Sequence, residues 1–223
     1  IGMNKKNRGV FSGCILSAAL LMSANSWADN ERNYEVTITN LTFGQPIAPV
    51  LLTSHRQGML FFKAGEAPSD ELASLAEAGD GGPMAEKLRG MRRINSVVMG
   101  EGGTPPGASS TVLVSGKPNN RISLAAMLGN TNDAFIALRN VKLPKGKKTV
   151  QYMATVYDAG SEHNDELCTT VPGPACGGEA LSPNESGEGY VYIHNGIHGV
   201  GELRASDHDW NNPAAMITIK SVR

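Results

Sequence analysis

From Tyr34 to Thr39 the chain alternates apolar and polar side chains without a break, as a strand with one buried face does. A turn-rich stretch with Gly44, Pro46 and Pro49 follows. Short apolar runs at 49–53 and 58–63 predict two more strands. The period then changes. Ser69 stands where an N-cap belongs, Leu72, Leu75 and Ala76 share one helical face, and Gly79 closes the segment. Pro83 opens a second short helix that ends at Gly90. Strand-like runs return at 96–99, 110–115, 121–128, 134–138, 148–157 and 215–220, with Gly, Pro or Asn between them. After residue 90 no helix separates successive strands, so a parallel sheet is excluded. The pattern predicts an all-β chain: an antiparallel β-sandwich of about eight strands with a short helical insert at residues 69–90.

The first 28 residues follow a different logic. Lys5, Lys6 and Arg8 precede an uncharged stretch whose apolar centre runs from Cys14 to Met22, and Ser26-Trp-Ala28 offers small residues for cleavage. Residues 1–28 read as a signal peptide, with Ile1-Gly2 a short remnant before Met3, and 29–223 as a single exported domain. The apolar core is too short to span a bilayer, so the protein is not expected to be an integral membrane protein. The expected location is the periplasm or the cell surface and extracellular space.

Charge takes on meaning only after that division. The whole chain has 20 Lys+Arg against 21 Asp+Glu. Removal of the first 28 residues takes three bases and no acid, leaving 17 against 21 and a mildly acidic domain. Nothing in that balance suits phosphate neutralisation along a nucleic acid or a polybasic membrane anchor. Two of the three cysteines, Cys168 and Cys176, stay in the domain. In an oxidising compartment they most simply form one disulfide, with two free thiols or a metal pair as the alternatives.

The acids collect in two loops. If 121–128 runs up to one end of the sandwich, residues 134–138 descend and 148–157 climb back, which returns Asp158 to the pole of Asp133. Asp158-Ala-Gly-Ser-Glu162 follows at once, then His163-Asn-Asp-Glu166. Carboxylates from two loops, with glycine letting the backbone approach, are what an oxygen-only calcium site needs. The competing reading is that these are solvated turn residues, because the helix-flanked Asp-x-Asp-x-Asp loop is absent.

Three segments carry a resemblance. Leu128-Gly-Asn-Thr-Asn-Asp-Ala-Phe135, Tyr157-Asp-Ala-Gly-Ser-Glu-His-Asn-Asp-Glu166 and His194-Asn-Gly-Ile-His-Gly-Val-Gly-Glu-Leu203 resemble the spondin N-terminal domain in its bacterial secreted form. So do Tyr34–Thr42, Pro46–Val50 with His55, and the closing stretch from Trp210 to Ile219. The resemblance implies an eight-stranded sandwich with a metal site in loops at one pole. The metal ligands it implies are Asp133, Asp158 and Glu162, with calcium as the cofactor and backbone carbonyls near Asn132 and Ala159 as further ligands. At 162 the animal members have Asp, and Glu lengthens that ligand by one methylene. Their adhesion and extracellular-matrix roles imply a binding function, whereas integrin recognition does not transfer, because their repeat modules are missing here.

No catalytic constellation competes strongly. His194 and His198 have a zinc-like spacing, but Gly196, Gly199 and Gly201 argue against the helix that would bring both imidazoles together. No Gly-x-Ser-x-Gly elbow is present. The expectation is a secreted, non-catalytic calcium-binding module. Its partner is either a surface ligand (polysaccharide, protein or lipid headgroup) or a second copy of itself. The alternatives are a metal-dependent hydrolase of surface polysaccharide or peptide using His194, His198 and an acid, and a self-assembling structural subunit.

Overall fold

A computed structural model describes residues 1–2, 31–182 and 187–222. The expected signal peptide lies almost entirely outside the described residues. The strands are β1 (Arg32–Asn40), β2 (Leu51–His55), β3 (Ile94–Met99), β4 (Ser109–Gly116), β5 (Arg121–Met127), β6 (Ala134–Lys142), β7 (Thr149–Asp158), β8 (Tyr192–Ile193) and β9 (Ala215–Val222). Helices α1 (Asp70–Ala78), α2 (Gly82–Arg89) and α3 (Ala205–His208) complete the set. The expected antiparallel all-β architecture with its helical insert is what the chain adopts.

The strands follow one hydrogen-bonded path, β3-β2-β5-β6-β7-β9-β1-β4, with β8 added beside β7. The path folds back on itself through β7. Its first six residues, Thr149–Ala154, pair with β9, and Thr155–Asp158 pair with β6. One strand therefore belongs to both layers, while β3 and β4, at the two ends of the path, come close to each other. Between the layers sit Tyr34, Val36 and Ile38 of β1, Leu52, Leu124, Ile136 and Val156 of the facing strands, and Ile217 and Ile219 of β9. The alternation read from Tyr34–Thr39 is the alternation of this core.

β2 and β5 do not alternate, and the helices explain why. Leu72, Leu75 and Ala76 of α1 and Met84, Ala85 and Leu88 of α2 pack on the outer face of that layer, against Leu51, Ala125 and Ala137. Both faces of β2 and β5 are thus dry, and a strand buried on both sides loses the alternation of apolar and polar positions; its buried polar residues, such as Thr53, Ser54 and Ser123, are hydrogen-bonded instead. Ser69 holds the N-cap backbone conformation of α1 but makes no side-chain capping bond; Gly79 ends the helix in the left-handed region at φ 66°.

The segment 58–63 is not a strand. Phe62 instead turns inward and meets Phe135 and Tyr157 edge-on, with ring centroids 5.0 and 4.8 Å away and the Arg139 guanidinium 4.6 Å over its face. An aromatic cluster thus satisfies a run whose apolar residues matched a strand in the sequence.

Candidate metal centre

The β6–β7 register sets Ala134 opposite Asp158, and the Ala159 amide donates to the Asp133 carbonyl at 3.3 Å. This brings Asp133 and Asp158 to one pole, as the strand-by-strand reading of the sequence requires. Both side chains are fully buried.

Their hydrogen bonds are unequal. Asp133 Oδ2 accepts from the Ser161 amide at 2.9 Å, the Ser161 hydroxyl at 3.3 Å and the Glu162 amide at 3.1 Å. Its Oδ1 is buried with no partner among the described residues. Asp158 Oδ1 accepts from the Gly160 amide at 2.7 Å and Oδ2 from Asn164 Nδ2 at 2.6 Å. Gly160 has φ 67°, and a Cβ there would fall 2.3 Å from the Tyr190 carbonyl oxygen, so the tight turn requires glycine.

Burial pushes the carboxyl of Asp133 well above its ordinary pKa, and the charge of neighbouring Asp158 adds to the rise. Burial also raises Asp158, against the hydrogen bonds from Asn164 and Tyr192. Two carboxylates in a dry site cannot both ionise without compensating charge. No Lys or Arg forms an ion pair with either one among the described residues. His194 Nε2 lies 3.6 Å from Asp158 Oδ2, but burial lowers this imidazole to about 4 and leaves it neutral near pH 7. Its two nitrogens are already engaged: Nδ1 accepts from the Gly196 amide at 2.9 Å, and Nε2 faces Asn164 Oδ1 at 3.1 Å. Because Asn164 in turn donates to Asp158, His194 orients an acid of the pair. His198, which the sequence set beside it, is exposed.

Glu162 is placed differently from its two expected companions. Its amide serves Asp133, while its buried carboxylate accepts from the Ser182 hydroxyl at 2.9 Å. The Ser182 amide donates to a second buried acid, Glu77 of α1, at 3.1 Å. Among the described residues no three His, Cys, Asp or Glu side chains converge to hold an ion. The acids Asp165 and Glu166 bind neighbouring loop groups, side chains as well as backbone amides. Asp165 Oδ1 accepts from Asn132, Leu167 and Thr170, and the Glu166 carboxylate accepts from the amides of His198 and Val200 at 2.6 and 2.9 Å.

The disulfide is present, with Cys168 and Cys176 4.7 Å apart at Cα. It closes the loop that rests on the approach to Asp133. The Ala175 amide donates to Asn130 Oδ1 at 3.0 Å, and a Cβ at Gly173 would fall 1.9 Å from the Gly129 carbonyl oxygen. No helix among the described residues is long and apolar enough to cross a membrane.

The chain matches no known family model and no curated protein.

Proposed function

We propose that the chain is an exported, calcium-holding binding module of the spondin N-terminal kind, which acts by recognition and not by catalysis. The observation that carries this reading is Asp133 Oδ1: a fully buried carboxylate oxygen that no described residue donates to, beside a second buried acid, with no Lys or Arg paired to either among the described residues. Unpartnered buried oxygens are costly in a fold and are the kind of donor a hard cation takes. Asp133 and Asp158 would hold the ion, with main-chain carbonyls near Asn132 and Ala159 filling its large coordination shell. Glu162 would join only by giving up Ser182.

When bound, the cation supplies the positive charge that fixes two loops in one arrangement. The rest of the work falls to the chain itself. Asn164 and His194 orient Asp158, the amides of Ser161 and Glu162 orient Asp133, and Glu166 clamps the 198–200 backbone. Rigid loops at one end of a β-scaffold are a common place for a recognition surface. The disulfide supports an oxidising, exported setting, since such bonds are rare where thiols are kept reduced.

Isothermal titration of chelator-treated protein with calcium tests the reading. The expected result is one ion per chain, weaker binding of magnesium because it demands a tighter octahedron, and no calcium binding by Asp158→Ala. Titrations without heat, together with identical thermal unfolding in calcium and in chelator, would overturn it.

A further inference from the structure

The end of the sheet away from Asp133 and Asp158 has the opposite charge. Register sets His55 against Arg121, and Arg121 against Lys142. Eight residue steps along β6, from Ala134 to Lys142, separate the two ends by roughly 25 Å.

Two hollows open side by side at this pole. The smaller, about 150 Å³, is lined by Arg56, Arg92, Arg93, Lys117, Asn95 and Asn120 among others. The larger, about 280 Å³, is lined by Gln57, Asn119, Arg121, Lys142 and Lys145, and Asn120 lines both. Among the described residues no carboxylate is in the lining of either hollow, although the Glu31 carboxylate accepts from Asn95 Nδ2 beside the smaller one at 2.7 Å, and Arg56, Arg92, Arg93, Arg121, Lys142 and Lys145 make no ion pair. Two of the guanidinium groups are pre-positioned by neutral acceptors. Arg93 Nη1 donates to the Gln57 carbonyl at 3.1 Å. Arg121 donates to the Asn140 carbonyl and to Gln57 Oε1, both at 3.3 Å. Each has five N–H donors, so most remain for a ligand. Holding so many like charges together is unfavourable without an anion between them.

The lining also defines the kind of anion. Arginine forks match tetrahedral oxyanions in a bidentate way, and the lysines add point charges. The smaller hollow has room for one such group and some water. The larger one beside it accepts a second. Gln57, Asn119 and Asn120 are amides, which pair with hydroxyls as donors and acceptors. No aromatic ring lines either hollow, so base stacking, on which single-stranded nucleic acid binding relies, has no platform here. From this geometry we infer that the basic pole is a binding site for a polyhydroxylated molecule, a sugar or cyclitol, that bears two or more phosphate or sulfate groups. The site does not depend on a cation at Asp133, and it stands whether or not calcium binds there.

Fluorescence polarisation with a labelled, fully sulfated heparin tetrasaccharide tests the site on the whole protein. A vesicle arm uses phosphatidylcholine with and without phosphatidylinositol bisphosphate. Binding of the tetrasaccharide alone points to a soluble source of the ligand, and additional capture by the bisphosphate vesicles to a lipid-borne one. Both support the site. Arg92→Gln and Arg121→Gln should each weaken binding roughly tenfold. Lys63→Gln, on another surface, should leave it unchanged, and so should excess chelator, which separates this result from the calcium reading. Arg92 is exposed, so its variant tests the site without disturbing the core. Failure of the tetrasaccharide and the vesicles alike would overturn the inference. So would binding indifferent to Arg92→Gln, or a DNA duplex of matched charge binding as tightly.

Discussion

Asp133→Asn should make the protein more stable without calcium and less responsive to it. The substitution keeps a carbonyl oxygen for the three donors from Ser161 and Glu162 and replaces the unpartnered Oδ1 by an amide that can donate toward Asp158. It also removes one of two buried like charges. At an effective dielectric near 20 and a separation of roughly 4 Å, that repulsion is about 4 kcal/mol. The wild-type pair relieves part of it by keeping a proton, so a net gain of about 1–3 kcal/mol is expected. For a chain of this size the gain corresponds to a rise in Tm of roughly 3–10 °C in chelator. Calcium should reverse the order: at a thousandfold excess over Kd it would stabilise the wild type by about 4.1 kcal/mol, while the variant gains little. Differential scanning calorimetry of both proteins, in chelator and in calcium, reads all four values. A variant that melts below the wild type in chelator would refute the argument, because Asp133 would then be a carboxylate the fold needs charged.

Two further outcomes are expected. Replacing Cys168 and Cys176 together by serine should cost about 2–3 kcal/mol, the loop-closure entropy of a short cross-link, read as a lower denaturant midpoint with little change in slope. His55 is fully buried; its Nδ1 lies 2.8 Å from the Arg56 carbonyl and its Nε2 2.9 Å from the Ser123 hydroxyl, and burial lowers its pKa. The carbonyl can only accept, so the ring is neutral with its proton on Nδ1. On acidification the unfolded chain takes up the second ring proton first, at about pH 6.5. The stability His55 contributes is therefore complete above that pH and is lost as the pH falls toward its lower native value. The NMR titration midpoint of its ring should fall below 6.5, and a midpoint at or above that value would contradict the assignment.

How much of this was legible in the sequence varied with the physics of each element. β1 has one dry face and one wet one, so its period was plain. β2 and β5 are covered by α1 and α2 on one side and by the facing layer on the other, and burial on both faces erases the alternation. The pairing of Asp133 with Asp158 followed from counting strand reversals, which needs no side-chain detail. Glu162 could not be placed that way, because its partner Ser182 lies twenty residues on. Tyr192 gave no signal either: β8 has two residues, too few for any period. The basic pole was hidden for another reason. Its charges come from four separated stretches of chain, and a near-neutral total averages them against the acids of the opposite end.

β7 links these ends in time as well as in space. It is the one described strand hydrogen-bonded into both layers, and its last residue is Asp158. An opening that frees residues 155–158 unzips β6 from the strand on which β9 also depends, so the acid loops have no local route to fraying that spares the core. The amides at this end of β7 are expected to exchange with solvent at the rate of global unfolding, as the slowest in the molecule do. A ligand that tightens the 158–166 loops would then slow the unfolding of the whole domain.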